Sequence, residues 1–134
     1  MIAATSRVFL SYISWVINRL KPNEIFVFGS NLGGRHAGGA ARLAKEKFGA
    51  QEGVGEGLTG QSYAFPTLTA RFERVSQASL EASRDRFFDT VLAHSDKIFL
   101  LTKVGCGIAG FAEGEIRPLF KNAPPNVVLP EDWR

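Results

Sequence analysis

The stretch Phe26–Ala44, FVFGSNLGGRHAGGAARLA, decides the fold. It opens inside an apolar run, Glu24-Ile25-Phe26-Val27-Phe28, that has the length and β-branched and aromatic content of a buried strand. A polar, glycine-rich turn follows. From Ala37 to Phe48 the pattern changes to helical spacing, with Leu43, Ala44 and Phe48 on one face and Arg42, Lys45, Glu46 and Lys47 on the others, and Gly49 as a stop signal. A strand that runs through glycines into a helix N-terminus is a phosphate-cradling arrangement, because free backbone N–H groups and the positive helix end both favour an anion. Each helix end contributes about 0.3–2 kcal/mol, so several N–H groups must act together.

A second apolar run, Lys97–Thr102, leads into TKVGCGIAGF, Thr102–Phe111. All fourteen glycines fall in two windows behind these runs, ten in Gly29–Gly60 and four in Gly105–Gly114. Glycine is needed where the backbone takes positive φ or where a ligand comes close, and elsewhere it costs conformational entropy. Ligands of α/β sheets sit outside the carboxyl ends of the strands, which is where both windows begin. The first loop is neither a Walker A loop, since no Gly-Lys-Ser/Thr is present, nor a Rossmann fingerprint, since its glycines lack the G-x-G-x-x-G spacing.

Between these landmarks the chain reads as follows. Pro22 and Asn23 break it before the first strand at 24–28. Ala50–Gln61 is too rich in glycine for regular structure, and Ser62–Pro66 is a short strand. Ser76 caps a long helix to about His94, with Leu80, Phe87, Phe88, Val91 and Leu92 as its apolar set. Glu115–Lys121 is a short helix that tolerates Pro118 only in its first turn, Asn126–Leu129 a last strand, and Pro130–Arg134 a polar tail. Residues 1–20 fit a helical stripe through Phe9, Ile13, Val16, Ile17 and Leu20, or an alternating strand through Val8, Leu10 and Tyr12. Helix is the expectation, and the segment reads as core or as an N-terminal extension. Strands alternating with helices, without repeats or linkers, predict one α/β sandwich domain over residues 1–134.

Composition narrows the chemistry. With 134 residues and 45% hydrophobic content the chain can bury roughly two-thirds of its unfolded surface, enough for one core. One cysteine cannot close an internal disulfide, and one Cys with two His is too few soft ligands for structural zinc. No apolar run approaches the roughly 20 residues of a membrane-spanning helix. Arg7 interrupts the N-terminal apolar stretch, so no signal peptide is read and the cytoplasm is the expected compartment, with no membrane partner. A net charge of +3, scattered rather than massed, gives mild attraction to phosphates without marking a nucleic-acid binder.

The pair FVFGSNLGGRHAGGAA and LLTKVGCGIAGF resembles the two ligand loops of macro domains, the ADP-ribose-binding family. Gly105-Cys106-Gly107-Ile108-Ala109-Gly110 matches that family's Gly-x-Gly-x-x-Gly loop position by position, and the match spans about 30 of the 134 residues. With GQSYAFPT at 60–67, the stretch also resembles small bacterial and phage proteins carrying the same loops. The resemblance implies a three-layer α/β/α sandwich with a mixed, mostly parallel sheet. It implies binding of ADP-ribose or a related nucleotide diphosphate, with hydrolysis of an ADP-ribosyl linkage as the possible activity and an ADP-ribosylated protein as a possible partner, and no cofactor or metal. Asn31 takes the place of the asparagine that meets the distal ribose in hydrolytic members. Gly29, Ser30, Arg35, Gly38 and Gly39 fall in the first ligand loop, and Gly105–Gly110 with Phe111 would close over the phosphates and distal ribose. The family's early aspartate for the adenine amine has no counterpart, since the first 23 residues contain no acidic residue.

Residue by residue, alternatives stand side by side. His36 can act as general base on a water, or be a solvent-exposed loop histidine. Asn31 can orient a ribose hydroxyl or a water, or shape the loop through an Asx-turn. Arg35 can pair with phosphate or lie on the surface. Phe111 can stack on a ribose or base edge, or pack in the core. Cys106 can be a thiolate nucleophile assisted by His36, or the small residue a phosphate loop requires. Besides a hydrolase, the pattern accommodates a non-catalytic binder of nucleotide signals or nucleic-acid ends, as in a phage accessory protein.

Overall fold

The structure, a computed structural model, describes residues 17–134. The expected helix over residues 1–20 falls mostly outside them, and residues 17–20 are without regular structure. Strand β1 is Glu24–Asn31, α1 Gly39–Lys47, β2 Gly57–Thr59, β3 Ser62–Leu68, α2 Gln77–Ala93, β4 Ile98–Leu101, α3 Glu113–Ile116 and β5 Val127–Val128. Short 3-10 turns cover Arg117–Phe120 and Glu131–Trp133.

The sheet order is β2-β3-β1-β4-β5, with β1 parallel to both neighbours, β4 parallel to β5, and β2 antiparallel at the edge. Alternation along β1 separates two cores. Ile25 and Val27 join Tyr63, Phe65, Phe99, Leu101 and the buried side of α2, while Phe26 and Phe28 face Ala41 and Ala44 of α1 and Phe48. Both faces of the central strands are therefore covered, which makes an α/β/α sandwich with a mixed, mostly parallel sheet.

Several elements differ from the sequence reading. Strand β1 runs on through Gly29, Ser30 and Asn31, because β3 likewise extends past Pro66 and continues to pair with it. Residues 57–59 form a strand rather than irregular chain: they pair with 62–64 across a two-residue Gly60-Gln61 connection, and glycine first in such a loop suits a hairpin turn. Ser76 caps α2 as expected, its side chain accepting from Ser79 N at 3.1 Å. The buried stripe there is Leu80, Ser83, Phe87 and Val91, which leaves Leu92 pointing outward and 64% exposed. The expected helix at 115–121 starts earlier and tightens at Arg117, where Pro118 falls in the first turn of a 3-10 segment. The expected polar tail is anchored by Trp133, buried and stacked on Phe120 with ring centroids 6.5 Å apart.

Candidate functional site

Helix α1 leaves β1 for one face of the sheet, whereas β4 leads to α3 and the 3-10 turn on the other. Adjacent strands whose connections depart to opposite faces open a crevice at their carboxyl ends, the usual ligand position in such sheets. Both glycine loops begin there and they meet: a Cβ placed on Gly29 would lie 3.0 Å from Gly105 N and 3.4 Å from Val104 Cα. At the far side the tip of the second loop reaches the start of α1, where Ile108, 82% exposed, brings Cδ1 within 3.5 Å of a Cβ placed on Gly38.

The crevice is lined by main chain. Helix α1 has no side-chain cap at Gly38 and no acidic residue in its first turn. Among the described residues, the N–H groups of Gly39, Ala40 and Ala41 find no acceptor, and neither do those of Gly105, Gly107, Ile108 and Ala109. The second loop is held in shape by Cys106 N donating to Lys103 O (3.1 Å), Gly110 N to Gly107 O (3.0 Å) and Phe111 N to Gly105 O (2.9 Å). A residue in no motif completes it. Arg74, between β3 and α2, donates through Nε to Ala109 O at 3.1 Å and through Nη2 to Gly110 O, and lays its guanidinium 4.6 Å from the Phe111 ring centroid.

Not every glycine of the first window serves this crevice. A Cβ on Gly34 (φ +70°) would meet Gly53 C at 2.3 Å, and one on Gly55 would meet the carbonyl oxygens of Asn31 and Leu32 at 2.5 Å. The 50s segment therefore packs its backbone directly beneath the β1 turn, with Ser30 Oγ donating to Gly55 O and Gly53 N to Gly34 O (2.8 Å). Thr67, buried at the end of β3, donates through Oγ1 to Ser30 O at 3.4 Å.

The polar side chains expected to do chemistry are engaged elsewhere. The amide of Asn31 is buried and binds the main chain of Arg35 at both ends. His36 is not a solvent-exposed loop residue: it is 1% exposed, sits edge-on to Phe28 and bonds Gln51 O through Nε2 at 3.1 Å, leaving Nδ1 buried without a partner among the described residues. The Arg35 side chain lies on the surface. Phe111 is buried, with Arg74 over its ring and Gly105 against its edge. Cys106 directs Sγ to Val104 O at 3.6 Å, away from any pairing with His36. Burial, reinforced by the Glu113 carboxylate, pushes its thiol up to about 11. Among the described residues no three His, Cys, Asp or Glu side chains gather closely enough to hold a metal, and no helix is long and apolar enough to cross a membrane.

Fold and crevice together define an α/β/α protein with a crevice lined by main chain at the switch point of its sheet. No family model, curated protein or solved structure matches the chain.

Proposed function

We propose that this chain binds ADP-ribose or a related nucleotide diphosphate across the crevice, with one phosphate at the N-terminus of α1 and the other in the loop 105–110. The observation that carries this reading is the convergence of two glycine loops whose N–H groups at 39–41 and 107–109 are unpaired among the described residues. Two adjacent cradles suit two adjacent phosphates, and aligned N–H groups supply the affinity that one helix end lacks.

Binding without turnover is the form this reading favours. Hydrolysis at an anomeric carbon needs a positioned water and a group to orient or deprotonate it. Asn31 spends its amide on Arg35, and His36 lies under Phe28 and Gln51. The biological ligand is accordingly a nucleotide signal, a nucleotide-like nucleic-acid end or an ADP-ribosylated protein that is held rather than cleaved.

Calorimetric titration with ADP-ribose, with AMP and ribose 5-phosphate as controls, tests the proposal. Micromolar binding of ADP-ribose, about −8 kcal/mol, with much weaker controls is expected. No heat with any of the three overturns it. Release of ADP-ribose from a modified protein by catalytic amounts of the chain would overturn the preference for binding alone.

A further inference from the structure

The turn between β3 and α2, residues 69–74, lies between the two glycine loops, and its placement rests on contacts to each. On one side Gly33 abuts it, with a Cβ there 3.5 Å from Ala70 Cβ, and Leu32 N donates to Leu68 O at 2.9 Å. On the other, Arg74 binds the carbonyls of Ala109 and Gly110. Phe72 is two residues from each anchor, within about 7 Å of chain.

The turn is rigid without help from the Phe72 side chain. Thr69 N donates to Glu73 O (2.7 Å), Phe72 N to Thr69 O (2.9 Å), and Thr69 Oγ1 accepts from the N–H groups of Arg71 and Glu73, both at 3.2 Å. Yet Phe72 holds φ +65°, a region that favours glycine or asparagine and is unfavourable for an aromatic residue, and it is 51% exposed. Of the four large hydrophobic residues exposed among those described, Leu32, Phe72 and Ile108 stand on the loops that follow β1, β3 and β4, at the mouth of the crevice. The turn thus fixes an aromatic face outward beside a phosphate cradle, flanked by Arg71 and Arg74.

We infer that the 69–74 turn is the third wall of the site and that Phe72 is the platform on which the base of the bound nucleotide stacks. This rests on the nucleotide reading above. It supplies what that reading lacks, an aromatic face open to a base, since Phe111 is covered by Arg74. Stacking accepts any base, so recognition here is of a planar ring rather than of adenine in particular.

The test compares wild type with Phe72→Ala, Phe72→Gly and Phe72→Trp, titrated with ADP-ribose and with ribose 5-phosphate. Loss of one base stack is expected to weaken ADP-ribose about 5- to 100-fold in the alanine and glycine variants, leaving ribose 5-phosphate unchanged. The glycine variant should melt no lower than wild type, because it relieves the positive φ, and this separates binding from folding. In Phe72→Trp, affinity is retained, and ADP-ribose and AMP, but not ribose 5-phosphate, quench the added fluorescence. Equal ADP-ribose affinity in wild type and Phe72→Gly would overturn the inference while leaving the diphosphate proposal standing. If wild type takes up no ADP-ribose, the diphosphate proposal fails; the platform then stands only if AMP or GMP still quenches Phe72→Trp, and falls if neither does.

Discussion

Asn31 and Arg35 close a reciprocal pair of hydrogen bonds: Asn31 Nδ2 donates to Arg35 O at 2.9 Å, and Asn31 Oδ1 accepts from Arg35 N at 3.0 Å. One buried amide thereby fixes both main-chain polar groups of a residue four positions on, and with them the path from the end of β1 toward α1. Asn31→Ala removes both bonds in a buried setting and should cost about 1–3 kcal/mol, measured by urea unfolding. Asn31→Asp keeps the acceptor for Arg35 N but opposes a carboxylate to Arg35 O, so it too should be less stable than wild type. An alanine variant as stable as wild type would show that the 31–35 turn holds itself.

The glycines divide into two classes that substitution can separate. Gly34→Ala places a methyl 2.3 Å from Gly53 C, against backbone that has nowhere to move, at φ +70°. Loss of the folded state, read by circular dichroism, is expected. Gly107 has no positive φ, and a Cβ there meets nothing within 4 Å. Gly107→Ala should leave the melting temperature within about 2 °C, as surface substitutions of this kind do, and lower ADP-ribose affinity by crowding the cradle. Unchanged affinity would place the phosphate elsewhere.

This division explains what was legible in the sequence. Strands β1 and β4 and the glycine windows behind them are local patterns, and their positions at neighbouring carboxyl ends follow from α/β chain logic. The role of each glycine is not local: Gly34 and Gly55 are needed because a segment some twenty residues away packs backbone to backbone against the β1 turn. Strand β2 hid in the same way, since its pairing signal is the two-residue Gly60-Gln61 connection within a run that composition alone reads as irregular. Arg74 and Phe72 belong to no motif, and the reach of Arg74 to Ala109 spans 35 residues. His36 gave no hint of burial, because its partner is a main-chain oxygen, that of Gln51.

Cys106 provides a chemical check on the second loop. With its thiol pushed up to about 11 by burial and by Glu113, the thiolate fraction near pH 7.5 is roughly two orders of magnitude below that of an ordinary cysteine. Alkylation by iodoacetamide should be correspondingly slow and keep accelerating with pH up to about 11. Glu113→Gln removes the nearby negative charge and should speed it at neutral pH. Rapid alkylation of native protein at pH 7 would mean that the thiol is not held in this environment and would reopen the nucleophile reading.

The base of the second loop is tied to the chain's last described turn through Lys103, whose Nζ lies 2.8 Å from Asp132 Oδ2 and 3.1 Å from Glu113 Oε2. Glu113 in turn accepts from Trp133 Nε1 at 2.9 Å. The Trp133 bond, then Lys103, holds the Glu113 carboxyl below its ordinary value, and the Lys103 bond does the same for Asp132. Burial of Lys103 opposes its charge, but the two carboxylates outweigh that and raise it. Lowered carboxyls contribute stability above the unfolded values near pH 4, and the contribution disappears as pH falls through the folded ones. The raised lysine contributes fully below about pH 10 and loses its part as pH rises through its folded value. Both carboxylates are about half exposed or more, so solvent screening limits each pair to about 1 kcal/mol. Lys103→Met should therefore lower stability slightly at pH 7 and flatten its fall between about pH 5 and 3. Trp133→Ala, which empties a packed site against Phe120, should cost about 3–5 kcal/mol at every pH. If Lys103→Met leaves the acid slope unchanged, then Trp133 packing alone, rather than the charge cluster, fastens this turn to the loop.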